Sequence, residues 1–128
     1  MTLFEGVAGG LAQAMSFGTL PFLALGALFG LVVGLIPGLS GHFAMAMAVT
    51  FLYSMEPSAG VVFMLAAHAT VAQGGGLTAI LFSTPGTGQN AATLLDGPKM
   101  RDKGQAGIAV GAAMTACFLG ASFGAVVL

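Results

Sequence analysis

The stretch Ser83-Thr84-Pro85-Gly86-Thr87-Gly88-Gln89-Asn90 gathers hydroxyls, side-chain amides and backbone groups freed by Pro and Gly, and it carries no charge. Apolar runs flank it at 77–83 and 89–95, each about half of the ~20 residues that a spanning helix needs. Two half-length apolar segments around a Pro/Gly/Thr turn predict a re-entrant helical hairpin over 77–95; the alternative is a plain interhelical loop at the surface, which would ordinarily carry some charge. Non-helical backbone survives at membrane depth only when it is buried in protein or faces a water-filled cavity. Broken helices of this kind build transport sites: half-helix N-termini face anions, and unwound carbonyls hold cations. On that chemistry Ser83, Thr84, Pro85, Gly86, Thr87 and Asn90 are candidate substrate or ion ligands. Pro37, Gly38 and Ser40, at a second break, are candidates to approach the same site. An anion bound here would be held by neutral dipoles and hydroxyls, not by Lys or Arg.

Other chemistry is thin. No paired acids, no nucleophile with a base and no metal-type cluster is visible, so an enzyme is not expected. His42 and His68 lie 26 residues apart without acidic or thiol neighbours. His68 sits in an apolar helix, where it either makes an interhelical hydrogen bond or lines a polar cavity. His42 follows a helix break and reads as interfacial. The glycines at 74–76 and 86–88 match neither GxGxxG nor a P-loop, so nucleotide binding is not expected. The lone Cys117 reads as a small buried hydrophobe and has no disulfide partner within the chain.

The elements that must position these groups follow from composition. Only 5% of the 128 residues are charged, 57% are apolar and 21 are glycine. A soluble domain carries roughly 25% charge, and disorder requires low hydrophobicity, so both are excluded. Three cations with a net charge of −1 make no nucleic-acid footprint. What remains is an all-α polytopic membrane protein. Residues 6–55, 57–95 and 104–128 are free of charge. All three cations fall within 96–104, which predicts a cytoplasmic loop there by the positive-inside rule. Residues 1–16 alternate apolar and polar groups at three- and four-residue steps and read as an interfacial helix. Membrane helices are expected over 20–36, 43–55, 60–72 and 105–128, with breaks at Pro37-Gly38, Glu56-Pro57-Ser58 and 73–76. Ser40 and Ser58 are candidate N-caps. Gly26, Gly30 and Gly34 form a small-xxx-small stripe that reads as a helix-packing face, or else as a dimer interface. The N-terminus has no basic n-region of a signal peptide. The last apolar run has no polar flank, which predicts a partial chain.

Three blocks carry a resemblance to a known family. They are Gly30-Leu31-Val32-Val33-Gly34-Leu35-Ile36-Pro37-Gly38-Leu39, then Gln73-Gly74-Gly75-Gly76-Leu77-Thr78-Ala79-Ile80-Leu81, then Thr84-Pro85-Gly86 with Ala92-Thr93, Asp96-Gly97, Met100 and Lys103-Gly104-Gln105-Ala106-Gly107. Together they resemble the N-terminal part of the large membrane subunit, the TctA-type permease, of tripartite tricarboxylate transporters. Gly76 stands where the family usually has Ser, and Pro98-Lys99 stands where Tyr-Pro is common. The resemblance implies an ion-coupled secondary transporter for tricarboxylates or related organic acids, with Na⁺ or H⁺ as coupling ion and no cofactor. It implies a multi-pass protein of the bacterial inner membrane. The implied partners are a small membrane subunit, a periplasmic substrate-binding protein and the lipid bilayer. The alternatives are a small non-transporting membrane protein assembling through its glycine-faced helices, or a non-functional permease fragment.

Overall fold

The computed structural model describes residues 3–39 and 41–127. Among them every element is helical: α1 (Leu3–Ala14), α2 (Leu20–Leu35), α3 (Gly41–Leu52), α4 (Pro57–Phe82), a 3-10 segment (Gly88–Leu94), α5 (Gly97–Asp102) and α6 (Ala106–Val127). The all-α class expected from the sequence is observed. Ser40, the expected cap and site residue, lies outside the described residues.

Helix α4 is the axis of the fold. Its 26 residues span about 39 Å at 1.5 Å per residue. With the 22-residue α6 it is long and apolar enough to cross a membrane. Pro57 opens α4, with Glu56 at the N-cap position. Pro is tolerated there because the first N–H groups of a helix have no partner within it. Ser58 therefore lies inside the first turn and does not cap the helix.

Helix α4 also runs straight through Gln73-Gly74-Gly75-Gly76, where the sequence reads a break. Glycine costs a helix up to about 1 kcal/mol each relative to alanine. Here that cost is offset by close packing on different sides of the helix. A methyl on Gly74 would meet the Leu31 carbonyl at 2.6 Å and the Cα of Gly34 at 3.0 Å. One on Gly75 would lie 3.0 Å from the Thr87 nitrogen. Successive residues point about 100° apart, so three glycines open one arc of α4 to α2 and another to the segment after Ser83. The apolar run at 77–82 is consequently the last part of α4, not a separate hairpin arm.

Helices α2 and α4 lie side by side and parallel. Gly26, Gly30 and Gly34 are buried against Phe63, Ala67 and Val71, a constant offset of 37 positions. A side chain at any of the three would overlap the facing backbone carbonyl. This glycine stripe is thus filled within the chain and not free for assembly of copies. Helix α3 returns antiparallel: Gly41 lies beside Val71 at one end, and Leu52 beside Gly60 at the other. Phe29, Phe51 and Phe63 close the three-helix contact, with ring centroids 5.8–6.3 Å apart.

Helices α2 and α3 have 16 and 12 residues, or about 24 and 18 Å. Both fall short of a ~30 Å hydrocarbon core. They form a helical hairpin that turns at Pro37-Gly38, with Gly38 at φ +89°, a conformation that glycine adopts without steric cost. Helix α6 packs near its start, where Ala109 is buried, and exposes Phe118, Leu119, Phe123 and Val127. Cys117, on this outlying part of α6, is exposed rather than buried.

Candidate functional site

After Phe82 the chain doubles back along α4. Ser83 takes a left-handed conformation (φ 55°) at the helix C-cap, and its N–H donates to the Thr78 carbonyl. The Thr84 N–H donates to the same carbonyl at 3.4 Å, and the Gly86 N–H reaches the Gly75 carbonyl at 3.3 Å. The 3-10 segment then starts at Gly88 and returns toward Asp96. Asn90 pins the tip: its Nδ2 donates to the Ala72 carbonyl at 2.9 Å and to Thr87 Oγ1 at 2.9 Å. From Phe82 to Ala72 is ten residues, about 15 Å of helix. The first arm is thus extended backbone over 84–87 and the second is 3-10 helix, because Pro85 and Gly86 cannot sustain an α-helix.

This tip meets the other hairpin. A methyl on Gly86 would overlap the Gly34 carbonyl and sit 2.6 Å from the Cα of Gly75. Backbone from α2, α4 and the tip therefore converges at three glycines. The α2–α3 turn comes from the Pro57 end of α4, and the 83–96 excursion comes from the Phe82 end. The two interruptions of helix stop at the same level.

Beside this junction opens a cavity of about 640 Å³. Helix α3 supplies Gly41, His42 and Met45, α4 supplies His68 and Ala72, and the tip supplies Thr87, Gly88 and Gln89. No Asp, Glu, Lys or Arg is among the lining residues. On the other side of the tip a cavity of about 250 Å³ separates it from α6, with Gln73, Gln89, Asn90 and Thr93 as its polar lining. Among the described residues no three His, Cys, Asp or Glu groups converge on a metal-sized site.

The polar residues singled out from the sequence divide by position. Thr87 and Asn90 are at the tip, with Thr87 buried and Asn90 partly so. Gly86 is in the glycine junction. Ser83 and Thr84 are at the base: Ser83 Oγ accepts from Arg101, and Thr84 Oγ1 donates to the Phe82 carbonyl. Pro37 and Gly38 are exposed and do not line the larger cavity. Three of its polar lining residues, His42, His68 and Gln89, were not among the candidate ligands, although lining a polar cavity was one of the two readings of His68. Their common signal is a polar side chain in a charge-free apolar run.

Arg101 on α5 holds the base of the excursion. Arg101 Nη1 donates to the Leu81 carbonyl at 2.6 Å and to Ser83 Oγ at 3.3 Å, while Nε and Nη2 grip Asp102 Oδ1 at 2.9 and 2.8 Å. A cation capping the last carbonyls of a helix is favourable by geometry and by the helix dipole. Arg101→Ala is expected to destabilise the protein by about 1–2 kcal/mol. Asp102→Ala should cost less than about 0.5 kcal/mol, since exposed ion pairs contribute little. Thermal unfolding in detergent measures both; equal effects would disprove the capping role.

A family model described as the tripartite tricarboxylate transporter TctA family matches residues 20–128. The match begins where α2 begins. The uncharacterized 52.8 kDa protein in the TAR-I ttuC' 3' region of Agrobacterium vitis is 29% identical over 118 residues, covering 92% of this chain and 24% of that protein. The chain thus spans about a quarter of the length of this relative. No solved structure matches it.

Proposed function

The chain belongs to the tripartite tricarboxylate transporter TctA family, and from that premise we propose that it forms part of a permease moving a tricarboxylate or related organic acid across the bacterial inner membrane. The observation that carries this reading is the meeting of two helix interruptions at one level of α4, beside a cavity of about 640 Å³. A broken-helix site of this kind offers backbone groups to an ionic substrate where no water is present to do so. With the Phe82 end of α4 at one interface, a 15 Å excursion puts Thr87–Asn90 near the midplane of a ~30 Å core. All three cations lie at that end of the fold, so the excursion enters from the cytoplasmic side. The opposed α2–α3 hairpin then enters from the outside, where a periplasmic binding protein would deliver the carboxylate. The small membrane subunit and an ion gradient complete the transporter.

Cysteine scanning of residues 84–90, in a Cys117→Ala background and with partner subunits present, tests the placement. Cysteines at 87–89 should react with a membrane-impermeant thiol reagent and be protected by citrate. Cysteines at 118, 123 and 127 on α6 should not react. Uniform lipid protection through 84–88 would overturn the site, and labelling that citrate leaves unchanged would overturn its role in binding.

A further inference from the structure

Among the described residues a carboxylate in the larger cavity meets no fixed positive charge. Lys99, Arg101 and Lys103 all belong to the segment after the tip, and none lines the cavity. Desolvating an anion without a charged or strongly donating partner is costly. Among the described residues the groups facing that space are few. Helix α3 offers His42 as its one titratable group, α4 offers His68, and the tip offers the neutral Thr87, Gly88 and Gln89. Helix α2 has no charged residue, and Glu56, the acid nearest on α4, is twelve residues from His68, about 18 Å away. The two histidines are 26 positions apart in sequence, and the antiparallel return of α3 brings them to one cavity. His68 is also near the middle of α4, at the depth where an ionisable side chain is retained only with a task or a partner.

We propose that His42 and His68 are a pair of imidazole ligands for the substrate carboxylates, and that each supplies positive charge by taking up a proton when the anion binds. This rests on the carboxylate-permease reading above and adds the identity of the charge carriers. Imidazole is the side chain whose ordinary charge change falls between pH 5 and 8. A proton on the ring and a carboxylate beside it favour each other, and linkage makes that reciprocal. Binding is therefore tightest at low pH and weakens as pH rises. The proton enters with the anion and leaves with it, so transport carries protons on these rings.

The test measures citrate affinity for the full chain in detergent between pH 6 and 8. Citrate's own titration is common to all variants, so differences between variants isolate the rings. Each ring is expected to contribute about a tenfold change, the order of a charge-assisted contact. The wild type should thus weaken about a hundredfold more than the His42→Gln/His68→Gln double variant, and each single variant should fall midway. His68→Arg, which carries a fixed charge, should keep tight binding at pH 8 and a flattened profile, which a merely misfolded protein would not show. Citrate binding should also draw protons from weak buffer, and the double variant should not. A double variant with the wild-type slope, or a His68→Arg variant whose affinity still falls like wild type, overturns the proposal while leaving the carboxylate reading intact. No citrate binding by the wild type at either pH overturns both.

Discussion

Gly86→Val is expected, on the permease reading proposed above, to reduce citrate uptake by on the order of a hundredfold or more while leaving α2, α3 and α4 assembled. The Gly86 backbone is wedged between the Gly34 carbonyl, the Cα of Gly75 and Thr78 Oγ1, the last at 3.0 Å from where a methyl would stand. Two of these three neighbours are main chain, and Thr78 Oγ1 is tied to the Gly75 carbonyl at 3.0 Å. Nothing at the junction can yield by changing a rotamer, so the tip itself must move outward. Misplacing a binding group by about 1 Å costs roughly a hundredfold in rate, and the valine demands at least that. Initial uptake rates in cells carrying the partner subunits measure the effect. Gly111→Ala, whose position has nothing within 4 Å, is the matched control and should transport normally. Near-normal uptake by Gly86→Val would show that the meeting of the two hairpins is not needed for transport.

The second large effect falls on stability. Gly30→Leu should destabilise the chain by about 3 kcal/mol or more and sharply reduce its folded yield. Alanine at a helical glycine ordinarily contributes up to about 1 kcal/mol through propensity. At Gly30 that gain is lost, because any Cβ overlaps the Ala67 carbonyl, and the Thr70 hydroxyl crowds the same space. Thr70 cannot swing away freely, since its Oγ1 donates to the Ala66 carbonyl at 2.9 Å. Overpacking of this kind costs about 1–3 kcal/mol locally, and the rigid helices spread the separation to Gly26 and Gly34. Gly10→Ala on α1, with open space around it, should be neutral or slightly stabilising. Thermal unfolding in detergent compares the two, and equal transition temperatures would remove the α2–α4 seam from the account.

Much of this architecture is legible in the residues. The charge-free runs fix the setting because a 5% charged chain cannot solvate a surface. The stripe Gly26, Gly30, Gly34 marks the closest helix pair, since only glycine lets carbonyl and Cα surfaces touch. Pro37-Gly38 and Pro85-Gly86 mark both turns. What was not legible has one physical cause: it depends on contacts far apart in sequence. Glycines at 74–76 read as a breaker until Gly34, Thr87 and Asn90 are known to press on them. His42 and His68 read as unrelated until α3 is seen to fold back on α4. Residues 20–36 read as a full span because helix length is counted locally, whereas the return of α3 is a tertiary fact.

The constant offset of 37 between facing residues of α2 and α4 also sets an order of events. Synthesis at 5–20 residues per second delivers Val71 roughly 2–7 s after Gly34. Through that interval α2 is a helix of about 24 Å with a glycine groove and nothing to fill it. It is too short to be comfortable in a bilayer by itself, and its destined neighbour has not yet left the ribosome. The fold therefore asks the cell's insertion machinery to shelter an early element for a late one, and a pause in translation between residues 40 and 70 would lengthen that exposure.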